Sequence, residues 1–407
     1  MKRRHVIIGS VVASTFFVGF GGGVIFPILP SLGLVLGISP ALVGLILSAN
    51  RFSRLVANAP AGILVDRIGT RKPFIAGLFI QGFATFGYVI ALEVGPPEGW
   101  FLAARVIWGL GSALVFATAY TIAADVSPSD GRGTSMGIIR GGSIFGFPTG
   151  LVLGGIVSEL YGTIEAFVLA TAFALAAGMI AYVTVPETHV EPGEHRSISP
   201  WDVDTSLPAL TIGTVNFVVL FVYIGALFAT MPVFLADTGM GVFGFDEQGS
   251  AGVFMAITVV AAAVCMFFGG WVTDRHGSRM PTLLLSLGVT VVGFGMFALA
   301  DSVITLAIAC VLIGGGQGGT SGPMMALLAD LVPNERMGRA VGTNNVFGDI
   351  GGGLGPMVSL PLAEVVGFQA IYAVCALAPA IAGVVLLIGV HRETGALLPT
   401  TAIGSVD

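Results

Sequence analysis

Runs of about twenty apolar residues recur from one end of this chain to the other, and they leave few folds open. The hydrocarbon core of a bilayer is about 30 Å thick, and about 20 residues of α-helix cross it. Stretches of that length cover 6–36, 40–65, 72–92, 99–123, 133–158 and 164–185, then 208–236, 248–273, 279–299, 302–328, 337–363 and 367–390. Inside lipid every backbone N–H and C=O needs a partner within the protein, so these runs predict twelve spanning helices. Composition agrees, since 55% of the residues are hydrophobic and 10% are charged. A soluble domain carries about 25% charged residues. The 60 glycines suit helices that approach one another closely in lipid. Pro27 and Pro30 predict a kink late in helix 1.

Met1-Lys-Arg-Arg-His5 before an apolar stretch has the look of a signal peptide. No small-residue cleavage site closes a short apolar core, however, and the run continues to about Leu36. We read it as the first spanning helix. Cys265, Cys310 and Cys375 are far apart and each lies within an apolar run, so neither a disulfide framework nor a metal site is predicted. The formal charge of -6 argues against nucleic-acid binding, which requires a basic patch.

Residues 186–207 break the pattern. They read PETHVEPGEHRSISPWDVDTSL, a polar and proline-containing stretch with no long apolar run. The segment divides the chain into an N-terminal half at 1–185, a linker at 186–207, a C-terminal half at 208–390 and a tail at 391–407. Basic residues fix the orientation. Lys2, Arg3, Arg4, Arg67, Arg71, Lys72, Arg132, Arg196, Arg275, Arg279, Arg336, Arg339 and Arg392 all fall on one side of a twelve-helix arrangement, and the opposite loops contain neither lysine nor arginine. Both termini and the linker are therefore expected on the cytoplasmic face of the plasma membrane.

The two halves repeat. Gly62, Asp66, Arg67, Gly69, Arg71 and Lys72 follow helix 2, and Gly270, Asp274, Arg275, Gly277 and Arg279 follow helix 8 in the same spacing. Asp125, Pro128, Gly133 and Gly137 likewise match Asp330, Pro333, Gly338 and Gly342, and Gly109 and Gly111 match Gly314 and Gly316. Halves of the same handedness imply a pseudo-two-fold axis along the membrane normal. The predicted fold is an all-α membrane protein of twelve transmembrane helices in two six-helix bundles.

With these motifs the sequence resembles the major facilitator superfamily over essentially its whole length. The resemblance implies that the Gly62–Lys72 loop and its copy act as a cytoplasmic latch. Asp66 would then face the N-terminus of a neighbouring helix, and Arg67, Arg71 and Lys72 would form inter-helix salt bridges. Orientation charges alone would not require Asp66, Gly69 and their repeats.

Charges inside a membrane are expensive and need a reason. Arg51 and Arg54 fall in helix 2, Arg105 in helix 4, Arg140 in helix 5, and Asp349 is the acidic residue near the middle of a span, in helix 11. Asp349 is the leading candidate for a protonatable coupling residue, and a static ion pair with an intramembrane arginine is the alternative. Arg105 opens Arg105-Val-Ile-Trp-Gly109-Leu-Gly111, which is similar to the family's helix 4 motif linked to proton transfer; a structural, hydrogen-bonding arginine is the alternative. Asn50, Arg54 and Asn58 share a helix face, as do Arg51 and Arg54. That face predicts a cavity lining for a polar or anionic part of a substrate, together with Arg140, Gln317, Asn344 and Asn345. A structural network is the other reading. Gly146, Pro148 and Gly150 in helix 5 look like the glycine–proline motif of the family's antiporters, although Phe147 stands where the pattern has glycine. Helix 11 carries the cleaner Gly355-Pro356. Both motifs predict helix bending or close packing.

No phosphate-binding loop, metal-ligand cluster or nucleophile–base pair is present, so neither an enzyme nor ATP-driven transport is expected, and no cofactor. The reading is a secondary transporter of a small organic solute, with a proton as coupling ion, export as the leading direction, and a monomer in the lipid bilayer. An importer or uniporter of an anionic metabolite is the alternative. A membrane sensor or scaffold would call for a soluble signalling domain, which the short tail does not supply.

Overall fold

The computed structural model describes residues 2–126, 132–188, 203–276, 278–333 and 335–399. Twelve helices carry almost all of them: α1 (Lys2–Val35), α2 (Pro40–Ile68), α3 (Arg71–Glu93), α4 (Pro97–Val126), α5 (Arg132–Leu160), α6 (Thr163–Thr184), α7 (Leu207–Thr238), α8 (Glu247–His276), α9 (Met280–Ala298), α10 (Val303–Leu331), α11 (Met337–Val366) and α12 (Phe368–Thr394). The apolar runs end within a few residues of these helices. Pro40 opens α2 behind Ser39, whose side chain accepts from Leu42 N–H, and Ser302 caps α10 in the same way. Within α7 the backbone passes through a π-helical stretch, Phe221–Leu227, that no sequence signal announced.

Ten of the twelve are long and apolar enough to cross a membrane. The two that fall short are α2 and α11, the helices that hold Arg51, Arg54 and Asp349. Large apolar side chains stand exposed elsewhere, among them Phe83, Leu285, Ile304 and Ile381, each more than 60% accessible. Lipid, rather than water, suits such a surface.

The chain forms two compact units. The first comprises residues 1–201 with 243–253, and the second comprises 202–242 with 254–407.

In the first unit, α1 lies against α5 along a ladder of glycines. A side chain at Gly142, Gly146, Gly150 or Gly154 would collide with the backbone of Val12, Phe16, Phe20 or Val24, and Gly19 and Gly23 meet α5 in return. These positions recur every four residues, so they form one stripe along each helix. Lipid supplies no hydrophobic drive between helices, and close backbone approach supplies dispersion contacts instead. Thr15 Oγ1 donates to Ile139 O at 2.9 Å and Ser143 Oγ to Thr15 O at 3.2 Å, adding hydrogen bonds across the same seam. Segment 243–253 joins this unit through Glu159, whose carboxylate accepts from Asp246 N–H at 2.8 Å and Gly249 N–H at 2.9 Å and so caps α8.

In the second unit, α7 and α11 repeat the α1–α5 seam. Gly351 meets Phe217, and Gly355 meets Phe221 and Gly225, the last within the π-helical stretch. The sequence repeat also reappears as packing. Gly109 fits against Asn50 of α2 and Gly111 against Gly77 of α3; their matches Gly314 and Gly316 fit against Thr258 of α8 and Ser286 and Thr290 of α9. Gly146, Gly150 and Gly355 therefore serve close packing. Pro148 and Pro356 lie buried inside continuous helices.

The ladder makes a direct prediction. Gly150→Ala forces α1 and α5 apart and should destabilise the protein by about 1–3 kcal/mol. Gly141→Ala, one residue outside the stripe with open space around it, should be neutral or slightly stabilising. Thermal unfolding of the two purified variants in the same detergent measures the difference.

Candidate functional site

The polar face of α2 is held from α4 by one buried arginine. Arg105 is 1% exposed. Its Nε donates to Ile46 O at 3.2 Å, and its Nη2 to Leu47 O at 2.9 Å and to Asn50 Oδ1 at 2.7 Å. Its guanidinium also lies 5.8 Å from the Trp108 ring. Gly109, one turn along, leaves the room that lets α2 come this near. Arg105 thus fastens the middle of α2 through a rigid fork of donors that a lysine could not reproduce. Arg51 and Arg54 are half-buried on the same helix, Arg54 lies 6.0 Å from the Phe116 ring, and Asn58 is exposed. The three-residue face read from sequence is therefore half-buried at Asn50 and Arg54 and open at Asn58.

The loop after α2 is built around a carboxylate that the sequence reading passed over. Glu187, just after α6, accepts from Thr70 N–H at 2.7 Å, Thr70 Oγ1 at 2.9 Å and Arg71 N–H at 3.3 Å. These donors stand at the N-terminus of α3, where a negative charge is favoured. Gly69 has φ +83° and a side chain there would run into the Glu187 carboxylate, so glycine is required twice over. Arg71 reaches back to α6, with Nε donating to Val185 O and Nη2 to Tyr182 O, both at 2.9 Å. The expected salt bridge of Arg71 is thus a pair of bonds to helix-terminal carbonyls, where a cation is favoured. Thr188 adds bonds to Thr70 Oγ1 at 2.9 Å and Asp125 Oδ2 at 3.1 Å. Asp66, expected at a helix N-terminus, is exposed with Arg67 and Lys72, and Glu187 is the carboxylate at α3. The clue lay in Pro186-Glu187-Thr188, read only as the start of a linker.

In the second unit, Arg279 pairs with Asp330 at 3.3 Å, so the repeat of the loop does contain an ion pair. Asp204, at the end of the linker, is 7% exposed. Its Oδ1 accepts from Ser206 N–H at 2.8 Å, and its own N–H donates to Thr343 Oγ1 at 2.8 Å, which ties the linker to α11. Burial pushes the Asp204 carboxyl up, but the Ser206 bond and the Arg336 and Arg339 charges outweigh it and hold the group below the usual carboxylate range.

Asp349 is half-buried in α11. Asn345, Asp349, Gly352 and Pro356 recur at helical spacing on one face, while Asn344, Gly348, Gly351 and Gly355 form the face set against α7. Asn344 departs from its expected lining role. It is 4% exposed, its Nδ2 lies 3.6 Å from Met325 Sδ, and its backbone O accepts from Asn216 Nδ2 at 2.8 Å. It packs α11 between α7 and α10. Asn345 is exposed and Gln317 half-buried on α10. Gly62 is half-buried in α2, and Gly270 and Arg275 lie in α8. Gly277 and the side chains of Arg140 and Asp274 lie outside the described residues.

A further correspondence joins the two units. The repeat that pairs Gly109 with Gly314 also pairs Arg105 with Cys310, and the loop repeat pairs Asn50 with Thr258. Thr258 and Cys310 lie side by side in the second unit, as Asn50 and Arg105 do in the first. The position is kept and its charge is not.

Two measurements test these assignments. Arg105→Lys should lose most of the α2 anchorage and lower stability by about 3 kcal/mol, while Asn50→Leu, which removes one of three acceptors, should cost less than half of that. Glu187→Ala should cost about 1 kcal/mol and Asp66→Ala almost nothing in thermal unfolding, because only the former leaves the α3 N-terminus without its acceptor.

The sequence profile described as Major Facilitator Superfamily matches residues 11–356 and 243–403. An uncharacterized transporter of that type from Methanocaldococcus jannaschii is 24% identical over 389 residues, covering 93% of this chain and 97% of its own. The multi-drug resistance efflux pump PmrA of Streptococcus pneumoniae is 25% identical over 376 residues, covering 88% and 89%. The quinolone resistance protein NorA of Staphylococcus aureus is 24% identical over 391 residues, covering 92% and 93%. Among solved structures, a bacterial homologue of the human lysosomal transporter Spinster, in an inward-facing and occupied conformation, superposes with a TM-score of 0.76 at 17% identity, covering 99% of this chain and 100% of that one. With the helices, the repeat and the profile in agreement, the chain belongs to the major facilitator superfamily and is a multi-pass membrane transporter, not an enzyme.

Proposed function

We propose that this transporter exports small organic molecules across the plasma membrane in exchange for protons, by alternating access of its two halves. The observation that carries the reading is Asp349. It sits half-buried in the middle of α11, about a third of a turn from the stripe that faces α7. A carboxylate at such a depth is costly unless it has work to do. Of the relatives similar over nearly their whole length, one is named a multi-drug resistance efflux pump and another a quinolone resistance protein, which supports export over import. Both termini and the linker lie on the cytoplasmic side in this reading, as the distribution of arginine and lysine requires. A second reading rests on Arg51 and Arg54, whose charges suit an anionic metabolite.

Inverted membrane vesicles separate the two. With an acid-inside gradient, wild type should accumulate a lipophilic cationic dye such as ethidium, and collapsing the gradient should abolish accumulation. Asp349→Asn should lose gradient-driven uptake yet retain dye counterflow, because the charge change removes coupling and leaves the pathway. Wild-type uptake that ignores the gradient would sink the proton role of Asp349. Counterflow of organic anions without dye transport would favour the second reading.

A further inference from the structure

Four polar side chains lie inside the first unit with atoms that have no protein partner among the described residues. They are Gln81 and Tyr88 on α3 and Arg105 and Ser112 on α4, each at most 2% exposed. On α3, Gln81, Thr85 and Tyr88 follow one another at helical spacing; on α4, Arg105, Trp108 and Ser112 do the same. The two faces meet. Gly111 packs beside Gln81, Gly87 beside Ala104, and the Arg105 guanidinium lies close enough to Tyr88 to act on its hydroxyl.

The bookkeeping of donors is specific. Arginine carries five N–H groups and does not deprotonate in proteins. Arg105 spends three of its N–H groups on Ile46 O, Leu47 O and Asn50 Oδ1, and Nη1 is left. Both the Nε2 and the Oε1 of Gln81 also lack a protein partner, as do the hydroxyls of Tyr88 and Ser112. Thr85, between them, is satisfied by Gln81 O at 2.8 Å. Unpaired polar groups in a low-dielectric interior are costly, and a buried guanidinium with an unpaired Nη1 more so.

We propose that a file of ordered water occupies this seam between α3 and α4, bonded to Gln81, Ser112, Tyr88 and the Nη1 of Arg105. The chemistry selects water over an ion. Gln81 presents a donor and an acceptor together, so its ligand must both accept and donate, which chloride does not do. A metal cation would face the Arg105 charge. Gln81 and Tyr88 are separated by roughly 10 Å along the helix, room for about three waters at hydrogen-bond spacing. Such water keeps a fully buried arginine charged without a carboxylate, leaving its fork to hold α2.

The test is X-ray radiolytic labelling of the full-length protein in nanodiscs, read by mass spectrometry. Hydroxyl radicals formed from bound water mark the residues that touch it, buried or not. Tyr372 is the internal control, because it is as buried as Tyr88 and its hydroxyl is already bonded to Thr230 at 2.7 Å. Tyr88 should be labelled several-fold faster than Tyr372. Equal labelling of the two overturns the proposal. Gln81→Met, of similar volume, should slow Tyr88 labelling and lower the melting temperature. A higher melting temperature with Tyr88 labelling unchanged means a dry seam and also overturns it. If that variant fails to fold, Ser112→Ala supplies the same labelling comparison.

Discussion

Backbone hydrogen bonding inside hydrocarbon is the constraint on which the rest of this molecule depends. It commits the chain to helices, and it also decides how those helices can associate. Lipid tails are as apolar as leucine, so burying leucine against leucine gains little over leucine against lipid. What distinguishes one contact from another is how near two backbones can come. The glycines of α5 and α11 answer that requirement at Phe16, Phe20, Phe217 and Gly225. Polar groups answer it a second way. Arg105 donates to the carbonyls of Ile46 and Leu47, which already accept within α2, and so adds a bond without breaking the helix.

Duplication kept this scaffold and changed its chemistry. Gly109 and Gly314, and Gly111 and Gly316, perform the same packing task in the two units. Beside them, a hydrogen-bonded pair in one unit, neutral Asn50 with charged Arg105, stands where the other has Thr258 with Cys310. Glycine contacts tolerate no added atom, so they persist wherever the helices must touch. Side chains one turn away are free to diverge, and there the halves differ. The two units share their construction and differ in the side chains it carries, with Arg105 in the first and Asp349 in the second.

Much of this was legible in the sequence because the signals are long. Twelve apolar runs with charges between them leave no other division of the chain, and a repeat carried by Asp, Gly and Arg at fixed spacing is hard to misread. The site was legible only as residue types. Periodicity placed Asn50, Arg54 and Asn58 on one face, and the structure leaves the first two half-buried and the third exposed. Asn344 and Asn345 look alike in sequence, yet one helical step turns the first into the α7–α10 packing and the second outward. Glu187 was hidden for another reason: its partners at Thr70 and Arg71 are more than a hundred residues away, and a helix N-terminus has no mark in a distant sequence. The π-helical stretch of α7 was hidden because its residues are ordinary ones for a helix, although Gly225 within it meets Gly355 across the seam.

The division of α11 into two faces shows how a half-buried carboxylate can coexist with a tightly fitted helix. The packing face, Asn344 to Gly355, is locked to α7 by contacts that admit no side chain. Asp349 lies roughly a third of a turn away from it. Were Asp349 on the packing face, its side chain would hold α7 and α11 apart and cost the seam its dispersion contacts. Placed on the neighbouring face, the carboxylate leaves that seam intact. The first unit follows the same logic by a different route, with the charge of Arg105 fixed in place and the more open arginines, Arg51 and Arg54, carried on the helix it holds.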